Sequence, residues 1–248
     1  MHMKSLLNAP KRQHSKDQHN RTATTTRTRA MHLLPTTLTL LASVSALPHK
    51  RAKCITAADI LKISPATSTC AGAPVAGECR TADQAAPYID ISFTNFGIAS
   101  FGEQAALLAL MLYETGDFRY AQNHFPGVPG QGTRNMQSPA YKLKYAQWLS
   151  ASCTNCGITA AQAQQASAQG PAAVLELVNT DEWSFGSAAW FLATQCDESV
   201  RQGLAAGTQA GWETYLSQCV GTSADEGRDQ LWTAAMALQQ CVPHGRIG

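Results

Sequence analysis

Between Ala105 and Tyr113 the chain reads AALLALMLY, nine residues with no polar side chain apart from one phenol. A helix that is apolar on every face must be buried, so this segment predicts a central helix around which the rest folds. Its start is marked by Ser100 and Glu103, spaced as a capping box. Its end is marked by Gly116, placed for a left-handed stop. Such a helix carries Glu114 out of the interior at its C-terminal end. Burial and the negative end of the helix dipole both disfavour the carboxylate. Both therefore raise its proton affinity, as a general acid requires.

The remaining pattern after about residue 98 is also helical. Val, Ile and Thr do not cluster into alternating runs, which argues against a sandwich or barrel. Ser138-Pro139 predicts a helix to about Ser150. Thr159 to about Gln169 and Pro171 to about Val178 predict two short helices broken at Gly170. Ser184 to Gln195 reads as a buried helix, and Thr208 to Val220 as another. Ser223 to Gln240 carries a second candidate capping box at Ser223 and Glu226. Asp117 to Gln137 holds Gly127, Pro129, Gly130 and Gly132 and predicts a long ordered loop or small hairpin. Residues 54–97 read as looser and stapled by cysteines. The expectation is one mainly α, disulfide-stapled domain over 52–248, with a small α+β element after the central helix.

Charge divides the chain unevenly. Residues 1–51 hold nine of the 19 Lys and Arg and one acid, Asp17, whereas the remaining 197 residues hold 10 basic and 16 acidic residues. The net charge of −6 beyond Arg51 argues against a nucleic-acid partner, which needs clustered Lys and Arg. Residues 1–30 have almost no apolar content and read as a disordered extension absent from the mature protein. Met31 to Ala46 reads as a secretory signal, too short to span a bilayer and ending in the small-x-small Val44-Ser45-Ala46. Lys50-Arg51 is a dibasic processing pair, which points to a secreted, extracellular eukaryotic protein, plausibly fungal. The one glycosylation sequon, at Asn20, lies in the removable part.

All eight cysteines follow Arg51: Cys54, Cys70, Cys79, Cys153, Cys156, Cys196, Cys219 and Cys241. An even count behind a signal predicts about four disulfides. Cys70 and Cys79 flank a Gly/Ala/Pro loop and form the simplest local pair. Cys153 and Cys156 also have the spacing of a redox pair or zinc half-site, but a second close cysteine pair is missing. With His124 and His244 the last histidines after Arg51, and no G-x-S-x-G elbow, a Ser-His-Asp hydrolase is disfavoured. Neither a P-loop nor a G-x-G-x-x-G motif is present.

After Glu114 come Thr115, Gly116, Asp117 and Phe118, then a glycine-rich stretch ending in Arg134-Asn135-Met136-Gln137 before the next helix. In that order these residues resemble the lysozyme-like superfamily, specifically goose-type lysozymes and soluble lytic transglycosylases, in the form of a secreted fungal muramidase. The resemblance covers Ser100 to about Trp148. It departs from the family at Asn135 and Thr115, and it has no Ala-Tyr-Asn motif further on. It implies a monomeric glycoside hydrolase without cofactor or metal, cleaving β-1,4 links in peptidoglycan. Lytic transglycosylase activity stays open. Glu114 would be the general acid and Asp117 the second carboxylate, with Asp181 or Glu182 as alternatives. Tyr120 and Trp183 would stack on sugars, Asn135 and Gln137 would hydrogen-bond sugar or acetamido groups and hold Glu114, and Gln131 and Arg134 would line the groove. Two other expectations stand beside it: a chitin- or chitosan-cleaving enzyme of the same fold, and a non-catalytic secreted glycan-binding protein.

Overall fold

The computed structural model describes residues 55–153 and 156–238. The expected extension, signal peptide and dibasic site lie outside these residues, as do Cys54 and Cys241. Ten α-helices are found among the described residues: α1 Ala57–Ile63, α2 Ala82–Asn95, α3 Phe101–Thr115, α4 Pro139–Ser152, α5 Ala160–Gln169, α6 Pro171–Val178, α7 Asp181–Gln195, α8 Glu198–Ala205, α9 Gln209–Thr214 and α10 Glu226–Met236. A π-helical turn, Tyr215–Val220, continues α9.

α3 is the central element that its sequence predicts. Residues 102–112 are all buried. The Ser100–Glu103 capping box forms in both directions, and Gly116 closes the helix in the left-handed region at φ 56°. Around α3 pack α7, α8 and α10, and Ile60, Ile89, Phe185, Leu192, Leu204, Trp212 and Leu216 complete one apolar core. A second core lies among α4, α5 and α6, built on Tyr145, Leu149, Ala163, Val174 and Val178. α7 serves both cores. Phe185, Ala188 and Leu192 face the first, while Trp190 and Phe191 face the second, which explains why this helix lacks a polar stripe.

Three differences from the sequence reading have local causes. Residues 54–97 are not loose, because α1 and α2 each start on a capping box, Thr56/Asp59 and Thr81/Gln84. α8 was masked by its Arg, Gln and Glu content, yet Val200 and Leu204 bury one stripe. The Ser223/Glu226 box does not form. Asp225 is the N-cap of α10, and its carboxylate accepts from the Arg228 amide at 3.0 Å.

Disulfides join Cys70 to Cys79, Cys153 to Cys156 and Cys196 to Cys219. The expected hairpin region reduces to two isolated antiparallel bridges, Gln122 with Gly132 and Gly132 with Gln137. The mainly α, disulfide-stapled architecture is therefore present, with no strand among the described residues. Two places bring backbones unusually close. A β-carbon at Gly211 would collide with the Gly203 carbonyl, and one at Gly102 with the Leu204 carbonyl.

Candidate functional site

α3 ends by presenting Glu114 to the start of α10. Arg228 Nη2 donates to Glu114 Oε1 at 2.8 Å. Arg228 Nη1 donates to the Asp225 carboxylate, so one guanidinium spans two carboxyl groups. The Tyr113 hydroxyl donates to Asp225 Oδ2 at 2.9 Å. The Tyr113 ring lies under the Arg228 guanidinium, 4.1 Å from its centroid, and this cation–π contact fixes the plane of the fork.

Burial separates the two carboxyl groups. The Arg228 side chain is 5% exposed, Glu114 18% and Asp225 38%. Burial pushes the Glu114 carboxyl above its ordinary value by more than Arg228 pulls it down, and the nearby Asp225 charge adds to the rise. Burial also pushes Asp225 upward. There, the Arg228 amide, the Tyr113 hydroxyl and the Arg228 charge prevail and hold the carboxyl below its ordinary value. Two groups on one guanidinium are thereby driven apart in proton affinity. Tyr215 lies within reach of the Glu114 charge, and its buried hydroxyl has no hydrogen-bond partner.

The other residues singled out from sequence go elsewhere. Asp117 sits at φ 63° and accepts from the Ser64 hydroxyl at 2.6 Å. Tyr120 is half-buried against the His124 ring, with centroids 5.5 Å apart. Gln131 bonds the Asn123 amide and the Met136 carbonyl at 2.9 and 3.1 Å. Asn135 accepts from Ser187 and Thr133 at 2.8 and 3.0 Å. Gln137 donates to the Ser187 carbonyl and accepts from Lys142 Nζ, both at 2.9 Å. Trp183 packs in the second core and accepts the Tyr145 hydroxyl on its carbonyl. Arg134 donates to the Phe118, Tyr120 and Glu78 carbonyls. Asp181 pairs with Arg80 at 2.7 Å, and Glu182 is exposed. No hydrogen bond joins Glu114 to Asn135 or Gln137 among the described residues.

Asn135 and Gln137 belong instead to a buried network. Lys142 is fully buried and donates to Thr133 Oγ1 and Gln137 Oε1. Burial holds its amine well below the ordinary lysine value, with no carboxylate to offset it. Sequence reasoning missed Lys142, Asp225 and Arg228. The Asp225 to Arg228 spacing, with its acid ahead of the helix, was the available signal for the latter two.

No metal-binding group of three His, Cys, Asp or Glu exists among the described residues. His124, the histidine described, is held by Glu78 at 2.9 Å. The six described cysteines are all in disulfides.

No protein-family profile matches the chain, and no solved structure matches it. The chain is similar to a bifunctional dioxygenase (DOX)-epoxy alcohol synthase (EAS) of Fusarium oxysporum (strain Fo5176), with 46% identity over 140 residues. That stretch is 56% of this chain and 11% of that protein. This similarity overturns the lysozyme-like resemblance, and with it the expected glycoside hydrolase, muramidase or chitin-cleaving activity and the polysaccharide partner. The geometry explains why the motifs misled. Arg134-Asn135-Met136-Gln137 keeps its polar side chains for internal bonds and offers no sugar-facing edge beside Glu114.

Proposed function

We propose that this chain is an acid–base domain that works alongside oxygenase chemistry and takes a proton-transfer step in which no electrons move. The observation that carries the reading is the Glu114–Arg228–Asp225 bridge at a mostly buried junction with Asp225 at its open edge. One guanidinium holds two carboxyl groups side by side, and their surroundings favour the proton on Glu114 and the charge on Asp225. That is the equipment of a paired acid and base. The link to oxygenase chemistry rests on the relative's name, which couples a dioxygenase to an epoxy alcohol synthase. The chain spans 11% of that protein, so in this reading oxygen insertion belongs to the length of such a protein that this chain does not cover. The three disulfides support action outside the cell.

Carbon-13 carboxyl titration of the full chain tests this. Glu114 should titrate above 4.5 and Asp225 below 3.8. Equal or reversed affinities would remove the acid–base reading. The relative's name also favours a second reading, in which the chain itself carries the dioxygenase step. Oxygen-electrode traces with an alkene probe separate the two, since the first reading expects no protein-dependent uptake.

A further inference from the structure

We propose that the Glu114–Asp225 pair opens an epoxide by adding water across it, giving a vicinal diol. The inference rests on the acid–base reading above and names its substrate class. It also places the chain after an epoxide-forming step, because an epoxy alcohol is consumed by water addition to give a triol.

Opening an epoxide with water needs an acid at the ring oxygen and a base at the incoming water. The strained ring supplies the driving force, so neither a covalent intermediate nor a redox group is required. Glu114 and Asp225 meet this need through the shared guanidinium. Glu114 has one oxygen bound to Arg228, and its other oxygen takes no hydrogen bond among the described residues. Asp225 is held on three sides by the Arg228 amide, the Arg228 Nη1 and the Tyr113 hydroxyl. That fixes its orientation and leaves about one carboxylate lone pair to accept from water. Asp225 and Glu114 are both partly exposed, so a ligand reaches them. The Tyr215 hydroxyl, buried and without a hydrogen-bond partner among the described residues, feels the Glu114 charge. It lies in a π-helical turn, a distortion frequent at functional sites.

The step balances without a further reactant. Water oxygen forms a bond to one ring carbon as the bond from that carbon to the ring oxygen breaks. The bond's electron pair goes to the ring oxygen, which takes the Glu114 proton. Asp225 takes a proton from the attacking water. Proton exchange with solvent then returns Glu114 to its acid form and Asp225 to its carboxylate. Arg228 stays protonated throughout and holds both groups in register. The groups that set the pH response are Tyr113 on α3, Tyr215 on the π-helical turn, and Asp225 and Arg228 at the start of α10.

The test incubates the full, disulfide-formed chain with 3-phenylglycidol in oxygen-18 water. Expected is a triol carrying one solvent oxygen, formed faster than in buffer alone. The rate should follow a bell with its acid limb below 3.8 and its alkaline limb above 4.5. Glu114→Gln keeps the shape and an oxygen for Arg228, Asp225→Asn keeps the shape but gives up one of its two accepting oxygens, and each should slow the reaction about 100-fold. Glu176→Gln, on the exposed side of α6, should leave it unchanged. Triol formation at the buffer rate, or undiminished rates in both variants with native circular dichroism, would overturn the epoxide assignment. The carboxyl titration keeps the two levels apart. Split affinities with no triol sink the substrate class alone, whereas unsplit affinities sink the acid–base reading beneath it.

Discussion

Two of the polar clusters in this fold handle charge in opposite ways. At the α3–α10 junction, Glu114 and Asp225 share Arg228, and each charge faces its opposite. Beneath the 130–137 loop, Lys142 meets neutral oxygens alone, from Thr133 and Gln137. The first cluster stays partly open to water and keeps its protons exchangeable. The second excludes water and lowers the proton affinity of its amine. A buried titratable group is thus a site in one case and a staple in the other, and the difference is the partner.

The strongest way to break the comparison is to take the partner away. Arg228→Met leaves two carboxylates uncompensated and should cost about 3 kcal/mol at pH 7, read from urea unfolding. The loss should shrink in acid, where both carboxyls are protonated. A loss below about 1 kcal/mol would show that the bridge contributes little.

Lys142 makes the opposite forecast. Its folded-state affinity for a proton lies well below the unfolded 10.5, so between the two values the unfolded chain binds more protons. Stability should therefore rise with pH across that interval, by up to about 1.4 kcal/mol per unit. Lys142→Met should flatten that rise, and an unchanged slope would show the amine to be charged.

Two carboxylates sharpen the contrast further. Glu78 accepts from the Ala121 amide, the Gln122 side chain and His124. Burial raises its proton affinity, but these partners outweigh it and hold the carboxyl below 4.5. Its contribution is present above that pH and lost as pH falls. Glu78→Gln should therefore cost more at pH 6 than at pH 3.5, by about 1.5 kcal/mol. Glu114 is shifted the other way, so the wild-type side chain becomes less favourable as pH rises through 4.5. Glu114→Gln should then compare better with wild type at pH 6 than at pH 3.5. Parallel denaturation curves at the two pH values decide both signs. The smallest effect is expected at Phe125, 80% exposed, where Phe125→Ser should stay within about 0.5 kcal/mol by the same unfolding assay.

What was legible in the sequence was local. The burial of α3, its Ser100 cap and its Gly116 stop each depend on residues a few positions apart, and each formed as read. The place of Glu114 at the end of that helix was also legible, because an apolar helix announces what it delivers. Arg228 was not, because it lies 114 positions away and nothing in the pattern around Glu114 points to it. Lys142 was missed because a lysine inside YKLKYAQW looks like an ordinary solvated side chain, and only the closure of Thr133, Gln137 and Ser187 over it reveals otherwise. The RNMQ segment was misassigned for the same reason. Its polar residues look available until α4 and α7 take up their hydrogen bonds.

The close approach of Gly203 to Gly211, and of Gly102 to the Leu204 carbonyl, has a consequence for how such a sequence can drift. Most of the core tolerates exchange among residues of similar volume. At these crossings the smallest possible addition, one methyl group, meets backbone that cannot rotate away. Among relatives of this domain, the α8 and α9 sequences should diverge freely on their exposed faces while these crossings admit no substitution. The most restricted letters of the alignment would then be those with no side chain.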